Sequence, residues 1–513
     1  MSRLHDPDSE TPKTSGNESN LRPTGRGRRE PAAVGWALRR LVREVIKAGL
    51  CTRCGSCVGV CPHRALRISD EFGECLPEQV GPCPDCGAEC YLGCPGRYVD
   101  FPALNRILYG GQPEHWLLGY HRGIWAGHAA DPQVRSMAAS GGFITATLEH
   151  LFQTGRIEGA QVLGMDPDRP YRARPFLART PAEARTACQS KYTVSPHNVL
   201  LQDIPPDGPP LAYVGLPCHV HSLRKLQQLG HPVARRFRYV VGSYCGNILH
   251  FSSVKAFLAK HGVRDLEAVR HLDYRHGEWP GNFRVELRSG RVISMPKFHA
   301  NYLIPFHILH RCLLCADLAN EFADLAGGDA WAPEYEERGK GFSLIIARSA
   351  WGQEIIDEMV SDGKLHVVPI TASEAIRMHS HGLDLKKRGT FLRIARRRAA
   401  HLPVPEYGFR CHQKLPWKRR GMERIMGLAF RICRTRLART LIQWVPNGLI
   451  GVAFRTARNW WKTASYGAKR RGLEGTSFLV DPPGGQASTD WKACGRDPLA
   501  SCSGSIPRPE SPR

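Results

Sequence analysis

The stretch Cys51-Thr-Arg-Cys54-Gly-Ser-Cys57-Val-Gly-Val-Cys61-Pro62 sets four cysteines within eleven residues. Three thiolates at these intervals grip one iron–sulfur cube, and a proline-flanked fourth reaches to a neighbouring cube in two-cluster ferredoxins. The competing reading is a zinc knuckle, but zinc sites are built from two separated pairs and rarely crowd four ligands so closely. Downstream, Cys83-Pro-Asp-Cys86-Gly-Ala-Glu-Cys90-Tyr-Leu-Gly-Cys94-Pro95 repeats the pattern with one extra residue between its second and third cysteines. Half a zinc ribbon or a degenerate lobe is the alternative there; the repeated Cys-Pro ending favours a second 4Fe-4S cluster. With crossing ligands, Cys51, Cys54, Cys57 and Cys94 hold one cube, and Cys83, Cys86, Cys90 and Cys61 hold the other. Cys75 has no partner in this scheme and reads as a free thiol.

Around these blocks the chain runs to 513 residues, 42% hydrophobic and 23% charged. Those values are near globular averages and leave room for two or three folded domains. Most of the 18 cysteines fall in short-spaced clusters, a metal-binding rather than a disulfide pattern. No uninterrupted apolar run reaches about 18 residues, and the polar start lacks an apolar signal core. The sequence therefore predicts neither a spanning helix nor secretion, and a cytoplasmic location is expected. The net charge of +24 is uneven, because residues 386–513 hold 27 Lys/Arg against 7 Asp/Glu.

Residues 1–33, polar and rich in Pro, Gly and Ser, read as a disordered leader. A helix-like stretch, Val34–Ala48, leads into the cysteine blocks, and residues 34–105 are expected to form a ferredoxin-like double 4Fe-4S domain stabilised by ligation. From Gly123 to about Ser380, β-rich runs (Ile124–Ala129, Leu211–Gly215, Tyr239–Ser243, Ser343–Ala347) alternate with helix-like runs (Phe143–Thr154, Val220–Leu229, Ser252–His261, Gln353–Ser361). That alternation predicts an α/β domain, placed at residues 120–385. Residues 386–480 read as a basic, partly helical appendage and 481–513 as a disordered tail.

A third set of cysteines is scattered: Cys218 in Val-Gly-Leu-Pro-Cys-His, Cys245 in Gly-Ser-Tyr-Cys-Gly, and the pair Cys312-Leu-Leu-Cys315. Lone cysteines at strand ends are most often small buried hydrophobes, and spacing does not overturn that reading. These residues belong, however, to an ordered series: Ser140-Gly-Gly-Phe-Ile-Thr145, Gly155-Arg-Ile-Glu-Gly159, Ser190-Lys-Tyr-Thr-Val-Ser-Pro196, Gly215-Leu-Pro-Cys218, Gly242-Ser-Tyr-Cys245, Cys312-Leu-Leu-Cys315-Ala-Asp317, Ala323-Asp-Leu-Ala-Gly-Gly-Asp329 and Gly341-Phe-Ser343. In this series, from about Ile124 to Gly352, the chain resembles the beta-subunit family of coenzyme F420 hydrogenases and dehydrogenases. These are iron–sulfur flavoproteins that include relatives acting on chlorophyll intermediates. The resemblance implies that Cys218, Cys245, Cys312 and Cys315 ligate a third 4Fe-4S cluster inside an FAD-binding α/β domain.

On its own residues, Ser140 followed by two glycines reads as the N-cap of the helix from Phe143, with free N–H groups suited to a phosphate. An ordinary glycine turn before a core helix is the plain alternative. Because relatives bind FAD here, the resemblance implies that Ser140, Gly141, Gly142 and Thr145 serve its phosphates or ribitol, and that Lys191 and Tyr192 serve its pyrophosphate or ring. A surface Lys-Tyr pair is the alternative for the last two. His219, His221, Tyr244 and Asp317 lie beside cluster ligands and are candidate proton donors or, more commonly for such residues, structural neighbours.

The implied function is an oxidoreductase passing electrons between ferredoxin-like one-electron carriers and a two-electron acceptor, either the deazaflavin coenzyme F420 or an organic substrate. The resemblance implies that simple deazaflavin-handling beta subunits lack the N-terminal blocks, which favours a ferredoxin-linked reductase here. Two other functions fit parts of the chain: an electron-transfer subunit of a larger complex, and a cluster-containing protein that binds nucleic acid or senses. The last is motivated only by the basic tail. There Met426, Phe430, Cys433, Leu437, Leu441 and Trp444 form one apolar stripe beside arginines, predicting a basic amphipathic helix. Packing on its own protein, peripheral attachment to anionic membrane at the inner face, an acidic redox partner and nucleic acid are the readings weighed for it. The tail is expected to be dispensable for chemistry.

Overall fold

The computed structural model describes residues 35–336 and 339–482. The predicted leader at 1–33 and nearly all of the predicted tail at 481–513 lie outside the described residues. Trp36–Leu41 is α-helical and continues as a wider π turn over Val42–Ile46, inside the stretch expected to be helical. Leu38, Leu41 and Val45, three and four residues apart, bury one face of it.

Two short antiparallel strands, β1 (Leu66–Ile68) and β2 (Pro77–Gln79), lie between two one-turn helices, Ser56–Gly59 and Glu89–Leu92. Each of these helices carries the third cysteine of its block. Each also opens on a left-handed residue, Gly55 at φ 85° and Ala88 at φ 61°. The extra residue of the second block is therefore absorbed at Gly87, ahead of the turn, and the two halves keep the same local shape. Strands of three residues bury little, so this unit leans on its neighbour. A Cβ on Gly59 would sit 1.9 Å from the Asn198 carbonyl oxygen, the closeness with which the N-terminal unit meets the 3-10 helix His197–Asp203.

The α/β domain is built on one eight-stranded sheet. Its strands are β3 (Gly123–Ala129), β4 (Gly159–Met165), β5 (Ala173–Ala178), β6 (Leu211–Gly215), β7 (Phe237–Ser243), β11 (Leu325–Asp329), β12 (Ser343–Ala347) and β13 (Leu365–Pro369), in spatial order β13-β3-β12-β11-β7-β6-β4-β5. The β4, β6, β7 and β11 strands are parallel; β5, β12 and β13 pair antiparallel with their neighbours. Every residue of β12 is buried, as a strand covered on both faces requires. Because β3 and β11 are both antiparallel to β12, the C-terminal ends of β3, β6, β7 and β11 share one rim. Ligand crevices form at such a rim. A separate meander, β8 (Val269–His276), β9 (Asn282–Leu287) and β10 (Val292–Pro296), stands beside it.

The composition change at Lys386 marks no structural boundary. The helix Ala372–Asp384 runs through a π segment, Leu385–Gly389, into the helix Thr390–Ala399, and Lys386, Lys387 and Arg388 are buried. Beyond it, β14 (Phe409–Cys411) pairs with β15 (Phe478–Val480), and the helices Trp417–Cys433, Arg436–Trp444 and Asn447–Arg470 lie between them. The single amphipathic helix expected along Met426–Trp444 is two helices. Thr435 turns extended (ψ 151°) and its hydroxyl caps the second by accepting from the Ala438 N–H at 3.2 Å. Ile450, with Phe430, Ile442 and Phe454, packs into the core around β8–β10, so these helices belong to the body of the molecule. Among the described residues no helix is long and apolar enough to cross a membrane.

Candidate functional site

The cysteines gather in three groups. Burial, then the thiols of Cys51, Cys54, Cys94 and Cys90, push the Cys57 thiol well up, and burial with Cys54 and Cys51 pushes Cys94 up to about 12. Burial, then Cys86, Cys61, Cys83 and Cys94, raises Cys90. Cys218 is raised by burial and by Cys245, Cys54, Cys312 and Cys315. The ring closes with Cys245, pushed up to about 12 by burial and held back by Lys386. The proline-flanked Cys61 shares a small crevice with Cys83, Cys86 and Cys90 of the second block, and Cys94 lies near Cys51 and Cys54 of the first.

Buried thiols that repel one another's charge become thiolates only against a compensating cation, which is the chemistry of metal ligation. Among the described residues no three His, Cys, Asp or Glu side chains converge on a position for one metal ion. A four-iron cube gives each thiolate its own iron and so separates its four ligands more widely than a single zinc does. Cys75 stands apart, its thiol donating to the Glu71 carbonyl at 3.0 Å.

Two bridges fix the groups to one another. The Asn198 side-chain amide donates to Ser56 Oγ at 2.8 Å and to the His219 carbonyl at 3.2 Å, its backbone N–H donates to the Cys54 carbonyl at 2.8 Å, and its Oδ1 accepts from the Tyr213 hydroxyl. This one buried residue therefore ties the first cysteine block to the helix of Cys218. Arg311, next to Cys312, reaches the other way, donating to the carbonyls of Leu50 and Gly96 at 3.0 Å each.

At the sheet rim lies a cavity of about 890 Å³, within the size range of cofactor sites. Ser140, Gly142, Thr145, Lys191, Tyr192 and Cys245 all line it. Ser140 is not the helix cap that the sequence suggests: its hydroxyl meets Ser343 Oγ at 3.0 Å, and Gly142, at φ 82°, opens the helix Phe143–Gln153 without a side-chain cap. Gly141 is wedged in place, since a Cβ there would lie 2.5 Å from the Gly127 carbonyl oxygen. Thr145 Oγ1 contacts Cys188 Sγ at 3.3 Å. Lys191 is not a surface residue; it donates to the carbonyls of Ala187 and Cys188 at 2.7 and 2.6 Å, and burial pushes it down to about 8.

Tyr192 faces two cations. Although burial works the other way, Lys297 and Arg275 hold its phenol below the ordinary value. Arg275 in turn pairs with Asp329 at 3.1 Å, and Asp329 also accepts from Trp279 Nε1 at 2.9 Å. None of Lys297, Arg275 and Trp279 stands in a sequence motif; they arrive from the β8–β10 meander and its turns. Of the four candidate proton donors, His219 and Tyr244 line the cavity, and the Tyr244 hydroxyl is buried without a hydrogen-bond partner. His221 and Asp317 instead bond to each other at 2.9 Å in the core.

Three family descriptions match the chain. "Coenzyme F420 hydrogenase/dehydrogenase, beta subunit" matches twice, its N-terminal part over residues 124–202 and its C-terminal part over 210–373. The chain belongs to this beta-subunit family. A 4Fe-4S binding domain matches residues 44–67, around the first cysteine block. A coenzyme F420-dependent sulfite reductase of Methanocaldococcus jannaschii is 26% identical over 331 residues, 61% of this chain, and the match spans 46% of that protein. A coenzyme F420 hydrogenase subunit beta of Methanothermobacter thermautotrophicus is 27% identical over 307 residues, 56% of this chain and 99% of its own length. A chain of the F420-reducing [NiFe] hydrogenase complex from Methanosarcina barkeri is 20% identical with a TM-score of 0.44, covering 56% of this family member and 97% of that chain. The matched family segments end at residue 373, ahead of the basic C-terminal region.

Proposed function

We propose that this beta-subunit family member is an iron–sulfur flavoprotein oxidoreductase that carries electrons between a ferredoxin-like donor and a two-electron acceptor. The observation that carries this reading is the order of the thiol groups. Cys61, Cys83, Cys86 and Cys90 share one small crevice, Cys94 lies near Cys51 and Cys54, Asn198 bridges the Cys54 carbonyl to the His219 carbonyl next to Cys218, and Cys245 lines the cavity. Cubes held by these three sets supply one-electron steps, and FAD in the cavity supplies the exchange from one electron to two.

The chain's own residues do the positioning. Gly142 brings its backbone close to the phosphates, Gly141 is held behind it by donating its N–H to Ser343 Oγ at 3.0 Å, and Lys191 stiffens the Ala187–Gln189 turn through its three carbonyl bonds. Lys297 places positive charge at the cavity wall beside the Tyr192 ring, and Arg275, paired with Asp329, holds the Tyr192 hydroxyl from behind. Tyr244, its hydroxyl unpartnered at the wall, and His219, held neutral by burial, are the groups able to hold a proton there. The relatives named for coenzyme F420 make that deazaflavin the first acceptor to try. A second reading, an electron-transfer subunit acting inside a larger assembly, is favoured by the 99% coverage of a protein named as a hydrogenase subunit.

Anaerobic purification with iron, sulfide and flavin analysis tests the proposal. Three cubes give about twelve irons per chain; about eight would remove one set, and zinc or an absence of flavin would end the reading. Cys54→Ala should leave flavin bound and reducible by dithionite while turnover driven by reduced ferredoxin falls steeply. Cys218→Ala should disturb flavin reduction itself. Full ferredoxin-driven turnover in Cys54→Ala would show that electrons do not enter through the N-terminal unit.

A further inference from the structure

Six Lys/Arg side chains and two carboxylates line the cavity. Of the carboxylates, Asp329 is committed to Arg275 and Trp279. Three of the cations, Arg458, Lys462 and Arg470, come from the helix Asn447–Arg470, outside the family-matched segments. Arg458 lies over the Phe298 ring at 5.4 Å and Arg470 over Tyr466 at 4.7 Å, aromatic rather than acidic neighbours. Burial, then Arg458 and Arg470, push Lys462 down to about 8, with only Glu336 acting against them. His381, which also lines the cavity, is pushed down to about 3 by burial and then by Lys469, Lys462, Arg458 and Arg470. Holding cations together in a half-buried wall is unfavourable unless a counter-anion arrives.

We propose that Arg458, Lys462 and Arg470 form the recognition site for the anionic group of the substrate, a small organic molecule bearing carboxylates or a phosphate. The inference rests on the cavity being the redox site and adds the class of molecule it admits. Guanidinium groups suit both oxyanions, since they offer paired donors. Titration calorimetry of the full-length, cofactor-loaded protein with citrate and, separately, with inorganic pyrophosphate tests it. At least one probe should bind, and Arg458→Gln/Lys462→Gln should weaken that binding by about tenfold or more. Arg455→Gln, an exposed charge on the same helix, should leave it unchanged, and Arg458→Lys/Lys462→Arg should restore most of it. Flavin content should be equal in all variants. Failure of both probes, or equal losses from Arg455→Gln, overturns the proposal. Loss of flavin from the double variant also overturns it, because these cations would then hold the cofactor. A wild type that binds a probe but no flavin would sink the proposed function and leave the anion site standing.

A second inference rests on the outer faces of the same helices. Of the twenty exposed large hydrophobic side chains among the described residues, eleven lie between Trp417 and Tyr466. At about 100° per residue, Ile425, Leu428 and Ile432 fall within one narrow arc of their helix, as Leu437, Leu441 and Trp444 do of theirs. Trp444 is 83% exposed. From Tyr407 to Leu473 the one acidic residue is Glu423, and it is buried against Arg393 and Arg419. Arg420, Arg424, Arg431, Arg434, Arg436 and Arg455 are exposed around these apolar rows.

The geometry points to an anionic bilayer surface as the occupant, with the apolar rows in the headgroup boundary and each arginine contributing about 1 kcal/mol. Nucleic acid would match the charge but not the aliphatic rows. In sedimentation with vesicles, the full chain should bind phosphatidylcholine containing phosphatidylserine and not phosphatidylcholine alone. Leu437→Gln/Leu441→Gln/Trp444→Gln should cut binding about tenfold without shifting the melting temperature, since these side chains are exposed. Binding that is equal in the variant, or absent from both vesicles while nucleic acid or an acidic polypeptide is retained, overturns the inference.

Discussion

Lys387 and Glu321 meet at 2.6 Å with neither side chain exposed. Lys387 was legible only as one more charge in a basic run, whereas the fold spends it on a carboxylate sixty-six positions earlier. Above about pH 7, where Glu321 is ionised, removing Lys387 leaves that carboxylate buried and unpaired, so Lys387→Met should cost about 3–5 kcal/mol there, and Lys387→Met/Glu321→Gln considerably less. Denaturant unfolding of the cofactor-loaded protein checks this. Burial outweighs Lys387 and raises the Glu321 carboxyl to about 7 from its ordinary 4.5. The folded state therefore keeps a proton that the unfolded chain has released, and this contribution to stability is complete below about 4.5 and lost as pH rises through about 7. Compared with Glu321→Gln across that window, the wild type should lose stability with rising pH. An identical pH profile in the two would contradict the burial argument.

At the scale of the element, the strands β3, β6, β7 and β12 were readable because their apolar runs are short, β-branched and bounded by turns. The entry to the helix Phe143–Gln153 was read as a serine cap, and the structure gives that place to Gly142 instead. Which residue caps a helix depends on the chain's path into it, and here Ser140 is drawn sideways to Ser343, 203 positions away. Gly141 carries the close approach. Gly141→Ala should force the loop away from β3 and cost about 1–3 kcal/mol, and on the proposed function it should lower flavin retention more than it lowers the melting temperature. Thermal unfolding alongside flavin release measures both. The break at Thr435 has a similar lesson, since an unbroken apolar stripe in sequence spans two helices once the cap forms.

For the whole molecule, the basic C-terminal region was expected to be dispensable. It is not a separate body: Ile450 and Phe454 pack beside β8–β10, Leu473 enters the core around β11 and β12, and β15 completes the ribbon with β14. Removing residues 447–482 should therefore lower the melting temperature and open the cavity wall built by Arg458, Lys462 and Arg470. Each large buried aliphatic side chain lost, such as Ile450 or Leu473, contributes about 2–5 kcal/mol. A truncated protein with unchanged melting temperature and unchanged anion binding would return the region to a loosely attached appendage.

The sequence by itself determined the ligand chemistry and the class of fold. Thiolates spaced two and three residues apart must lie near one another in any conformation, and alternating strand and helix runs can bury their faces only as layers. Only the tertiary structure decided which distant thiols face each other, that Lys191 and Lys386 are interior, that Arg275 and Lys297 meet Tyr192, and that the C-terminal helix walls the cavity. These are long-range contacts between residues that no local pattern marks. A charge in a basic run reads as solvated until the packing shows which carboxylate, carbonyl or cavity it was placed against.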